Sequence, residues 1–175
     1  MKKHNWIYKV FFITFILSLI FSSITTYLSN NFNNTILVII IIIAVISIGV
    51  IFDMIGTAAL TSKESSFHAM NSKKIEGAKE ALFIVNNSVT VSSVCNDIIG
   101  DVCGIVSGGL SAVLALNITN IFGINIIITT VIVSAIVSSL TVGGKAIFKT
   151  IATKNSDTIV FTTAKILKTI TFKKI

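Results

Sequence analysis

At 175 residues the chain is 53% hydrophobic and only 12% charged, with a mean hydropathy of +0.93 and no proline. A globular domain keeps roughly a quarter of its residues charged, whereas these apolar residues fall in blocks near the ~20 that one helix needs to cross a bilayer, so a soluble domain is excluded and an all-α integral membrane bundle is expected. The formal net charge is +7 and every basic residue is lysine; the lysines flank the apolar blocks, where the positive-inside rule explains them, and with no interleaved aromatic residues nucleic acid is not an expected partner.

The first block, residues 6–28, follows a basic start at Lys2 and Lys3. A cleaved signal peptide is the alternative there, because a basic start and an apolar core are its signature. A polar, uncharged turn at 29–34 leads to the second block, 35–60, whose isoleucine-rich run ends in Asp53 and a small-residue stretch. Residues 61–90 are the one mixed-charge region. Within it Ile75, Ala78, Leu82 and Val85 recur at helical spacing while Lys73, Lys74, Glu76, Lys79 and Glu80 fall largely elsewhere, which reads as an amphipathic segment lying on the membrane surface or against the bundle. The third block runs over 91–116, a polar turn occupies 117–120, the fourth block covers 122–142, and a basic tail follows from 145 to 175.

Lysine placement sets the expected topology. Lys2 and Lys3, the group Lys63, Lys73, Lys74 and Lys79, and the lysines from Lys145 to Lys174 mark three cytoplasmic regions, while the turns at 29–34 and 117–120 carry no charge. Four crossings with both termini in the cytoplasm satisfy every loop, so the expected location is the cell membrane, with residues 1–144 as the transmembrane domain and lipid as the surrounding partner.

The third block opens on VCNDIIGDVCGIVSGG, residues 94–109, with Asp97 and Asp101 one turn apart in a segment otherwise suited to lipid. A charge at the bilayer centre costs ~2.5–3.5 kcal/mol on insertion scales. Asp53, Glu64, Asn96, Asp97 and Asp101 are expected at a similar depth, and no lysine falls inside the second, third or fourth block to compensate the acids. Like charges at i,i+4 repel, so the pair is expected to bind a cation or to share a proton. Carboxylate and amide oxygens suit a hard cation, with Mg²⁺ first. Gly100, Gly104 and Gly108, at fourfold spacing, form a small-xxx-small face for close helix packing, and because Asp101 shares it the carboxylates are expected to point into the bundle. Cys95 and Cys103 would lie ~12 Å apart along a helix, too far for a disulfide. No Ser/His/Asp arrangement or phosphate loop occurs, and an enzyme is not expected.

The stretches FDMIGTAALTSKESSFHAMNSKKIEGAKEALFIVNN and VCNDIIGDVCGIVSG, after an apolar helix, resemble the transmembrane domain of the CNNM/CorB/CorC magnesium transporter family over about residues 45–115. In that family a hydroxyl-x-x-Glu motif ends one helix, a basic amphipathic segment follows, and a Gly-Asn-x-x-x-Asn motif opens the next. Thr61 or Ser62 with Glu64 matches the first motif and Asn96 the first asparagine, while Cys95 replaces the glycine and Gly100, beside Asp101, the second asparagine. Family members usually continue into cytoplasmic CBS domains, and the stretch after Lys145 is shorter than one. The resemblance implies binding and transport of a divalent cation, Mg²⁺, and a homodimer. The expected ligands are Asn96, Asp97 and Asp101, with Asp53, Thr61, Ser62 and Glu64 completing or gating the site. Two other readings stay open at this point: a non-transporting accessory or scaffold protein, and a proton-coupled carrier using the same carboxylates.

Overall fold

The computed structural model describes residues 2–31 and 34–172, with side chains over 8–27 and 34–169. Phe32 and Asn33 of the expected turn, and Lys173 and Lys174 of the tail, lie outside the described residues. The fold is all-α, with no strand among the described residues. In chain order the elements are α1 (Lys2–Asn31), α2 (Thr35–Thr61), α3 (Glu64–Ser72), α4 (Ala78–Asn86), α5 (Ser88–Ser92), a π-helical segment (Ser93–Gly100), α6 (Asp101–Phe122), α7 (Ile126–Lys154) and α8 (Ser156–Phe172).

Among the described residues four stretches are long and apolar enough to cross a membrane, Tyr8–Tyr27, Thr35–Thr61, Ser88–Phe122 and Ile126–Lys154. The isoleucine run of α2 is a modest helix former in water, but in lipid the backbone must satisfy its own hydrogen bonds, and the helix is how a single segment does so. Hydroxyls inside the spans follow the same rule. Thr14, Ser47 and Thr57 donate to the carbonyls of Val10, Ile43 and Asp53, one turn back, which satisfies these hydroxyls within their own helices.

Local chemistry sets the helix ends. Asn34 and Asn125 are the N-caps of α2 and α7, their side-chain oxygens accepting from the N–H groups of Ile36 at 3.1 Å and Ile127 at 2.9 Å. Gly123, at φ 64°, closes α6 in the left-handed conformation, its N–H donating to the Thr119 carbonyl. The third span therefore continues through the polar stretch expected to form a turn at 117–120, and the connection falls at 123–125 instead.

The chain divides into two compact units, Met1–Val50 with Ile98–Gly144, and Ile51–Asp97 with Lys145–Ile175. In the first, α1 packs on α6. Val102, Val106, Leu110 and Leu114, a fourfold stripe on α6, form the core with Val38 and Ile42 of α2 and Val133 and Val137 of α7, and Leu17 and Phe21 of α1 lie against it. Large apolar side chains such as Phe11, Ile40, Ile105 and Ile127 face outward, as lipid permits. The close approach in this unit is at Gly49, where an added Cβ would stand 2.8 Å from Cys103 Cβ. By contrast, no atom of the described residues lies within 4 Å of a Cβ built at Gly104 or Gly108, so among these residues that part of the small-residue face, expected to pack inside the bundle, is open, while Gly100 is buried with its carbonyl beside Gly49.

In the second unit α4 packs against α3 and α8. Its core sets the fully buried Phe67 among small residues, Ala58, Ala59, Ala81, Ala152 and Ala164, with Leu82, Ile84 and Val160. The segment 61–90 is three helices because Lys74 at φ 54° and Gly77 at φ 87° turn the chain between α3 and α4, which leaves Ile75 in the turn and exposed. The 145–175 stretch first completes α7 and then forms α8. Asp157, in the first turn of α8, accepts from the Lys63 N–H at 3.1 Å. Lys168 donates to Glu76 at 2.9 Å, and this bond with the ammonium charge behind it holds the Glu76 carboxyl below its ordinary pKa.

Candidate cation site around Asp53

Asp53 lies within the second candidate span and is only 3% exposed. An ionised carboxylate so placed needs compensation, and α7 supplies it. Lys145 Nζ stands 4.0 Å from Asp53 Oδ1, and Lys149 Nζ 3.5 Å from Oδ2. The two lysines are four apart and share a helix face. Sequence reasoning gave Asp53 no such partner because it ended the fourth block at 142; α7 continues to Lys154, and the i,i+4 lysines just past the apolar run were the available signal. The pairing is incomplete: Oδ2 is buried and accepts no hydrogen bond.

One turn further along α2, Gly56 is buried, and the Asn96 carboxamide lies on its bare backbone. A Cβ at position 56 would come within 2.8 Å of Asn96 Cγ and 3.1 Å of Cys95 Cβ, so glycine is what admits the amide. Asn96 Nδ2 donates to Ser92 Oγ at 3.2 Å, while its Oδ1 is buried without a hydrogen-bond donor. Asn96 sits in the eight-residue π-helical segment Ser93–Gly100. Bonds of the i→i+5 type are rare and concentrate at functional sites, and they rotate the faces that α-helical spacing would assign.

Two buried acceptor oxygens with unused capacity thus lie along α2, that of Asp53 facing Lys145 and Lys149 and that of Asn96 against Gly56 one turn on, its amide bonded to Ser92. The other expected ligands in the same unit are engaged elsewhere or exposed. Thr61 and Ser62 turn their hydroxyls back onto the Thr57 and Ala58 carbonyls, at 2.9 and 2.7 Å. Glu64 is exposed and pairs with His68 at 3.1 Å. Asp97 and Asp101 are both exposed rather than buried in a bundle core as expected, and Asp101 has an interaction of its own. An i,i+4 spacing fixes a shared face but not the direction in which that face looks.

Against family models, curated proteins and solved structures, the chain matches none.

Among the described residues no three His, Cys, Asp or Glu side chains gather as a metal-holding group. What Asp53 and Asn96 offer is one carboxylate and one amide oxygen. That set suits a hard cation that keeps part of its water shell, as Mg²⁺ does, and not a soft metal.

Proposed function

We propose that this chain is a membrane protein that binds and transports a divalent cation, Mg²⁺ first, in the manner of the CorB/CorC-like proteins its sequence resembles. The observation that carries the reading is the pair of buried, unsatisfied acceptors, Asp53 Oδ2 and Asn96 Oδ1, on two candidate spans. Buried polar atoms are normally hydrogen-bonded, and each exception calls for an explanation such as an absent water or ion. A cation shared by the two oxygens would account for both. Intramembrane ionisable residues mark ion pathways by default, and the lysine distribution supports a cell-membrane location with both termini cytoplasmic. The open face of α6, with Gly104, Gly108 and Ala112, offers a second copy of the chain a close approach in lipid, in keeping with a homodimer.

Thermal unfolding of the purified protein over a Mg²⁺ series tests the binding site. A ligand at a hundredfold excess over Kd stabilises by ~2.7 kcal/mol, and the wild type is expected to show a shift of that order. Asp53→Asn and Asn96→Ala should lose most of it, while Asp157→Asn, on α8, should keep it. No shift in the wild type, or equal shifts in all four proteins, would leave a scaffold or a proton carrier as the better reading.

A further inference from the structure

Resting on that site, we propose that Lys145 and Lys149 act as tethered competitors of the cation: their ammonium groups hold the Asp53 carboxylate until a divalent ion displaces them. The geometry is that of a loose occupant. Both nitrogens lie at ion-pair distance, 3.5 and 4.0 Å, from a carboxylate whose side chain is 4% exposed, yet Oδ2 accepts no hydrogen bond from either. Each ammonium stands where it opposes the approach of a further cation to the carboxylate.

The lysines differ in their freedom to leave. The Lys149 side chain is 50% exposed and that of Lys145 20%. A lysine stem can lie on apolar surface while its head stays in water, so Lys149 has a route to solvent that requires no helix to move. Its departure frees Asp53 Oδ2, the orphaned oxygen, and removes the nearest like charge from an arriving divalent ion.

The test compares Mg²⁺ affinity, by thermal shift and by calorimetry, in wild type, Lys149→Gln, Lys154→Gln and Asp53→Asn/Lys149→Gln. Lys149→Gln is expected to bind on the order of tenfold more tightly, because it deletes a charge that opposes the ligand at short range. Lys154→Gln removes the same charge from the same helix away from Asp53 and should change affinity little; the double variant should gain nothing. In the wild type, acylation of the Lys149 amine should quicken when Mg²⁺ is saturating. Equal, measurable affinity in wild type and Lys149→Gln, with Lys149 acylation indifferent to Mg²⁺, would overturn the competition and leave the site standing. Absence of binding in both would overturn both.

Discussion

The double variant Lys145→Met/Lys149→Met is expected to lose ~3–5 kcal/mol of stability, the cost of leaving one member of a buried ion pair without its partner. Asp53→Asn is expected to lose only about 1–2 kcal/mol, the scale of one imperfectly satisfied buried polar group. The asymmetry follows from burial. Asp53 is 3% exposed and has no way to water, so deleting the lysines strands its charge. The lysines are partly exposed, Lys149 by half, so deleting the aspartate lets them turn outward. Denaturant unfolding of the purified proteins in detergent, with the cation chelated, measures both. Equal losses, or a larger loss for Asp53→Asn, would mean that the lysines do not compensate this carboxylate.

Helix packing should show an equally sharp contrast. Gly49→Ala is expected to cost about 1–3 kcal/mol, the range for overfilling a packed contact, since the new Cβ would stand 2.8 Å from Cys103 Cβ, an atom fixed to the α6 backbone that can give way only if the helices part. Gly104→Ala has open space and should cost nothing within one chain. At Gly56 the nearest atoms are the end of the Asn96 side chain, which can swing aside, while Cys95 Cβ at 3.1 Å need give by only a few tenths of an ångström, so Gly56→Ala should displace the carboxamide at a smaller cost in stability. Melting temperatures of the monomeric protein in detergent separate these cases. A loss at Gly104 with none at Gly49 would reverse the assignment of the packed seam.

The sequence alone makes the four spans legible, because twenty-residue apolar blocks admit one structure in lipid. It places their ends less well. Asn117 to Asn120 look like a turn by composition, but Gly123 is where the backbone leaves the helix and Asn125 is where the next one is capped. Lys145 and Lys149 look like a tail because hydropathy ends at the first charge, whereas α7 carries them on to a buried partner. Asp53 and Asn96 could be singled out by type and position, Asp53 as an acid in an apolar run and Asn96 by its place in a motif. Asp97 and Asp101 stand out for the same reason and are exposed, since spacing gives a face and not its burial, and the π-helical segment shifts that face again. The fourfold glycines of α6 were the conspicuous pattern. The contacts that need glycine are on α2, at Gly49 and Gly56, two turns apart with Asp53 between them.

Reconstitution decides whether a site of this kind belongs to a transporter. Vesicles holding the purified wild-type protein and a Mg²⁺-sensitive dye should take up Mg²⁺ faster than empty vesicles, and vesicles holding Asp53→Asn at the same density should not. Wild-type flux no greater than that of empty vesicles, or Asp53→Asn flux equal to wild type, would contradict a Mg²⁺ pathway through Asp53.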